Sequence, residues 1–112
     1  MNKSEKGRRK ELQVLHELVE YYVGRGTRVI DTWHTNRSHF GANDFMGYDI
    51  ALKLDMGKPG PVLVLVQVKS EYSPKDLSLL ERPQGCNAYY AVYSGTSRHP
   101  FIELPHSKLF LV

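Results

Sequence analysis

The first apolar rhythm along the chain has a helical period. Leu15, Leu18 and Tyr22 fall on one stripe with Leu12 and Val19 beside it, which predicts a helix over Ser4 to Val23. Gly24 and Gly26 end it. Thr27 to Trp33 is rich in β-branched residues and predicts a strand. His34 to Gly47 is then polar, with two glycines, two histidines and Arg37, and a loop of that length in a small domain tends to carry function. Tyr48 to Leu54 and Val62 to Glu71 predict two more strands, and the Gly- and Pro-rich stretch Asp55 to Pro61 joins them as a β-hairpin. Ser73-Pro74-Lys75-Asp76 starts a second helix, with a Ser N-cap, Pro at the first position and an acid in the first turn. Leu77 and Leu80 form its inner side, and Pro83 with Gly85 closes it. Ala88 to Tyr93 is a fourth strand, and Phe101 to Leu104, bracketed by prolines, is a short edge strand. The order αβββαβ plus one strand describes a mixed α/β fold, one sheet with helices packed on it.

Composition narrows the class. The 112 residues make one domain, 1–112, and 41% hydrophobic with 24% charged residues is a globular mixture. The formal net charge of +3 is uneven: residues 1–10 hold five basic residues against one acidic, and the remainder holds ten against eleven. A polycationic nucleic-acid coat is excluded, but a basic arm touching phosphates is not. A single cysteine, Cys86, excludes an intramolecular disulfide framework and a Cys-based zinc site. The longest apolar run, Val62 to Val66, is too short to span a membrane, and no apolar segment follows the basic start as in a signal peptide. The expectation is a soluble cytoplasmic protein with no membrane partner. The apolar C-terminus, Leu109 to Val112, is available for oligomerisation.

The candidate chemistry lies on the second hairpin strand. Val64, Val66 and Val68 face one side, while Leu63, Leu65, Gln67, Lys69 and Glu71 face the other. Alone, such a polar end is what a strand emerging into solvent looks like. The hairpin changes that. A turn centred near Lys58 gives partners whose numbers sum to about 116, placing Asp49 opposite Gln67 with Cβ atoms roughly 4.5–5.5 Å apart. Glu11 precedes Leu15, Leu18 and Tyr22 by four, seven and eleven residues, at the N-terminal end of the apolar stripe. A carboxylate there is costly unless paired or bound to a metal. Glu17 and Glu20 fall elsewhere and read as surface charges. Oxygens from Glu11, Asp49 and Gln67 suit a hard divalent ion such as Mg²⁺. Lys69 is then a candidate to orient or deprotonate a water attacking a phosphodiester, or to stabilise the developing charge. The loop histidines read as hydrogen-bonding or exposed groups rather than ligands.

These residues resemble a known signature. Asp49, followed after 17 residues by Gln67-Val68-Lys69, is similar to the PD-(D/E)XK nuclease motif. Lys6-Gly7-Arg8-Arg9-Lys10-Glu11, Tyr48-Asp49-Ile50, Val64 to Ser70 and Phe101 to Pro105 resemble, in order, segments of the archaeal-type Holliday junction resolvases. The resemblance covers most of the chain. It implies a restriction-endonuclease-like mixed sheet flanked by helices (αβββαβ). It also implies a homodimeric, Mg²⁺-dependent endonuclease acting on four-way DNA junctions in recombination and repair, with Mn²⁺ as a substitute ion and no small-molecule cofactor. It assigns Glu11, Asp49 and the Gln67 position as metal ligands and Lys69 as the catalytic lysine. Lys6, Arg8, Arg9 and Lys10, with Thr35, Arg37 and Ser38 of the long loop, are its candidates for DNA contact. One departure matters: the usual acid two residues before the lysine is Gln67, which can ligate but brings no charge. Glu71, on the same strand face, is a candidate to supply it.

Overall fold

The apolar run Val62 to Val66 has a physical consequence for topology. A strand apolar on both faces must be covered on both, and such strands sit inside a sheet rather than at its edge. In the computed structural model, which describes residues 3–34, 47–93 and 96–112, this is what the chain does. The elements are α1 (Lys3–Gly24), β1 (Arg28–His34), β2 (Ile50–Asp55), β3 (Val62–Lys69), α2 (Pro74–Leu79), β4 (Cys86–Val92), β5 (Ile102–Glu103) and β6 (Lys108–Leu111). They form one mixed sheet in the order β1-β2-β3-β4-β6-β5. β3 pairs antiparallel with β2 and parallel with β4, and the parallel pair requires the crossover that contains α2.

The hairpin register follows the sum of 116. Leu54 pairs with Val62, Leu52 with Val64 and Ile50 with Val66. One face of the sheet, carrying Ile50, Leu52, Val64, Val66, Tyr89, Ala91 and Leu109, packs on Val14, Leu18 and Tyr22 of α1. Tyr48, Ala51, Leu65 and Ala88, then Tyr90, Val92 and Phe110, form the core of the other face, with Leu77 and Leu80 packed at its edge.

Four expectations are corrected. The buried stripe of α1 runs through Val14, Leu18 and Tyr22, with Leu15 and Val19 flanking and Leu12 exposed, because the helix sits rotated toward Val14. Helix α2 ends at Leu79, well before Pro83, and buries no residue fully; it is too short to present a stripe. The polar loop begins one residue later than expected, since His34 is the last residue of β1. The C-terminal apolar run is part of the sheet rather than a free tail, though Leu111 stays exposed. It forms β6, inserted between β4 and β5, with Leu109 and Phe110 buried. The Val112 N–H continues the ladder by donating to the Ala88 carbonyl at 3.1 Å. Among the described residues no helix is long and apolar enough to cross a membrane.

β1 carries an irregularity that bears on function. Its pairing with β2 shifts between Val29 and Asp31, so Ile30 is an extra, bulged residue. Before the bulge Arg28 faces Asp55; after it His34 faces Ile50 rather than residue 49. Partners across a ladder share a face, so the bulge turns His34 to the α1 side and Trp33 to the other.

Candidate active site

The polar end of β3 lies where β2 has just begun. Asp49 immediately precedes β2, and its N–H donates to the Val66 carbonyl at 3.0 Å. Its Oδ2 accepts from the Val68 N–H at 2.8 Å. Strand N–H groups lie in the plane of the sheet, so this bond places the carboxylate in that plane, capping the β3 edge where the β2 backbone ends. Asp49 is 2% exposed. The expected pairing of Asp49 with Gln67 is therefore replaced at the last step by a side-chain cap on the next residue, and the carboxylate still sits between Gln67 and Lys69 along the strand.

Gln67 is 7% exposed, and its Oε1 is one of two buried side-chain polar atoms among the described residues without a hydrogen-bond partner, the other being Ser107 Oγ. Leaving such an acceptor unsatisfied costs on the order of 1–3 kcal/mol. Lys69, two residues on and on the same face, is half-buried and forms no ion pair among the described residues. Glu71 follows the end of β3 and is exposed.

Glu11 approaches from the helix side. Its Oε1 lies 2.7 Å from His34 Nε2, with the two side chains 15% and 17% exposed. An ionised carboxylate only accepts, so the imidazole N–H donates. His34 faces Ile50, the neighbour of Asp49, and so Glu11 is held at the same end of the sheet as Asp49 and the end of β3. Sequence reasoning reads His34 as a hydrogen-bonding or exposed loop histidine without naming its partner, because the contact depends on the bulge at Ile30, which leaves no clear mark in the sequence.

Of the proposed DNA contacts, Lys6, Arg8 and Arg9 are exposed on α1. Lys10 folds back, its Nζ 3.1 Å from Ser70 Oγ and 5.5 Å from the Tyr93 ring centroid, tying the helix to the end of β3. Thr35, Arg37 and Ser38 lie outside the described residues.

Sequence reasoning also misses a second polar cluster on α1. Glu17, expected on the surface, is 8% exposed. Its Oε1 accepts from the His106 backbone N–H at 3.2 Å, and its Oε2 lies 2.6 Å from His106 Nδ1 and 3.3 Å from Gln13 Nε2. Tyr93 O–H donates to Gln13 Oε1. Burial first, and then the Glu17 carboxylate, pushes the Tyr93 phenol up, keeping it protonated as a donor. The available signal is Val14: with it on the stripe, Glu17 three residues later lies beside the core.

The donors can be tested against a metal. Among the described residues no three His, Cys, Asp or Glu side chains gather into a ligand group. Of the predicted ligands, the Gln67 amide supplies the remaining oxygen. The Gln67 Oε1, two residues from Lys69, is buried and is an acceptor without a donor, and a hard cation fills such a deficit. Glu11, Asp49 and Gln67 are the residues that would hold it; Glu11 comes from the α1 face, Gln67 pairs with Tyr90 and faces the other way, and Asp49 lies in the plane of the sheet between them. No family model, no curated protein and no solved structure matches this chain.

Proposed function

We propose that the chain is a divalent-metal-dependent, structure-specific endodeoxyribonuclease of the PD-(D/E)XK kind, cutting four-way DNA junctions as a homodimer in the manner of the archaeal-type Holliday junction resolvases. The observation that carries this reading is the unpartnered, buried Gln67 Oε1, on the strand whose Val68 N–H holds the Asp49 carboxylate and whose next residue on the same face is Lys69. The element order α1-β1-β2-β3-α2-β4, with β1, β2 and β3 antiparallel and β4 parallel to β3, supports a restriction-endonuclease-like core.

In this reading the reaction is phosphodiester hydrolysis: a water oxygen bonds to phosphorus, the bond to one deoxyribose oxygen breaks, and that leaving oxygen takes up the proton the water gives up. A divalent ion, when bound, supplies positive charge that stabilises the pentavalent phosphate. Asp49 is fixed by the Val68 N–H, so its carboxylate presents one orientation to whatever enters. Gln67 contributes a neutral oxygen, so the site holds one negative charge fewer than an all-acid set and binds cations more weakly. The Lys69 ammonium orients the attacking water or stabilises the charge that develops on the phosphate. Lys6, Arg8 and Arg9 neutralise backbone phosphates without reading sequence, which suits recognition of shape.

The test compares a four-way junction with linear duplex, with and without Mg²⁺, for the natural protein and Asp49→Asn. Paired symmetric nicks in the junction, dependent on Mg²⁺ and abolished in Asp49→Asn, are expected. Cutting of linear duplex instead identifies a restriction- or repair-type nuclease of the same superfamily. Junction binding without cutting identifies an inactive DNA-binding relative. Equal cutting by both proteins overturns the site assignment.

A further inference from the structure

The placement of His34 at this end of the sheet requires a departure from regular structure. Without the extra residue Ile30, the Arg28–Asp55 register would continue and His34 would face residue 49 from the other side of the sheet. With it, His34 faces Ile50 and turns toward α1, where its Nε2 meets Glu11 Oε1 at 2.7 Å. Bulges are over-represented at sheet edges, where β1 lies, and beside active sites, where they re-aim a side chain. The contact is also dry, with both side chains less than a fifth exposed. In that surrounding a carboxylate is strongly dependent on the donor that meets it.

We infer that His34 is a positioning residue for the Glu11 carboxylate, fixing its plane and direction on the α1 face at the end of the sheet that carries Asp49. The inference rests on the nuclease reading, because only that reading gives Glu11 a metal to hold. His34 itself need not touch the ion. A hydrogen bond from a fixed imidazole to one oxygen removes rotation about the last bond of the Glu11 side chain. The orientation of the whole carboxylate is then set before a cation arrives. Partners of this kind typically contribute about 10- to 100-fold to metal affinity. They matter most where the ligand set is short of charge, and Gln67 makes this one so.

The test is Mn²⁺ binding by titration calorimetry on the whole chain, without DNA and without reference to cleavage. It is read beside the Mg²⁺-induced shift of the Glu11 side-chain carboxyl carbon in NMR. His34→Ala is expected to weaken Mn²⁺ binding about 10- to 100-fold and to abolish the Glu11 shift. His34→Gln, whose amide N–H reaches to about the same place as the imidazole Nε2, is expected to restore most of both. If His34→Ala does not fold, His34→Leu, apolar and of similar bulk, replaces it as the variant without a donor. Unchanged binding and an unchanged Glu11 shift in a folded donor-less variant overturn the inference while leaving the nuclease reading intact. Failure of His34→Gln to restore either signal also overturns it, since the role is then not that of a hydrogen-bond donor. If the natural protein binds no divalent ion at all, the nuclease reading falls and the positioning role falls with it.

Discussion

Helix α1 is pinned to the sheet by two carboxylate–imidazole contacts of nearly equal length, and they are built for different ends. Glu17 meets His106 at 2.6 Å, and both of its oxygens are occupied by groups of its immediate surroundings: the His106 backbone N–H, its ring, and Gln13 one helical turn earlier. Its partner sits in the β5–β6 turn with a ring 58% exposed. Glu11 meets His34 at 2.7 Å, and there both partners are largely dry. Its imidazole is delivered by a bulged strand to the position beside Asp49. In the proposed reading the same pairing of side-chain types serves as a clasp in one place and as a held ligand in the other. What separates them is where the imidazole comes from: His106 is brought in by a turn that also lends its backbone N–H, whereas His34 is brought in by a bulged strand.

The strongest way to break this comparison is to remove each carboxylate in turn. Glu11→Gln is expected to reduce junction cleavage by at least about 100-fold, the scale of removing one well-placed electrostatic group. The melting temperature should barely move, since the amide still accepts from His34. Glu17→Ala should do the reverse. It strands the His106 N–H and ring and the Gln13 amide, and deleting a buried acceptor from such a network costs about 2–3 kcal/mol. Chemical denaturation reads that cost, and cleavage per folded molecule should be retained. If Glu17→Ala kills cleavage in a protein that remains folded, the division between clasp and site is wrong.

A smaller effect sharpens the other half of the site. Replacing Lys6, Arg8 and Arg9 together with alanine should lower junction affinity and flatten its salt dependence. Every phosphate that is no longer neutralised makes the slope of log K against log salt shallower by about 0.9. The drop in affinity should be the same for junctions of different sequence. Affinity that changes with sequence but not with salt would show that these side chains do not meet the backbone.

Much of this arrangement is legible in the sequence, and the parts that are not share a cause. The hairpin register is readable because strand pairing has a fixed period and Asp55 to Pro61 marks its turn, so the sum of 116 carries down to Ile50 and Val66. Glu11 is readable as a polar residue on an apolar stripe. Helix α2 is readable at its start, where Ser73 Oγ accepts from the Asp76 N–H at 3.2 Å, but not at its end. What escapes depends on small rotations and on contacts distant in sequence. A turn of α1 toward Val14 brings Glu17 to His106, 89 positions away. One extra residue in β1 exchanges the faces of Trp33 and His34. Tyr90, by pattern an ordinary strand residue, accepts from the Ser73 N–H and donates to the Glu71 carbonyl, securing the β3–α2 connection from the neighbouring strand. The apolar C-terminus reads as an outer surface because pattern alone cannot distinguish a strand that joins its own sheet from one that joins another copy.

The finest cut between the two contacts is His106→Ala set beside His34→Ala. Removing the His106 ring leaves Glu17 with the backbone N–H at position 106 and with Gln13, so only one of its donors goes. The expected cost is about 1 kcal/mol. In a domain of this size that lowers the melting temperature by roughly 4 °C. His34→Ala should cost a similar amount, because it too removes one imidazole donor from one carboxylate. By melting temperature the two variants should therefore be nearly indistinguishable, and by Mn²⁺ affinity they should differ by about tenfold or more. Equal destabilisation with unequal metal binding is the pattern that makes one histidine part of the frame and the other part of the site. Equal weakening of both would mean that the two contacts are one kind of fastening, repeated along the helix.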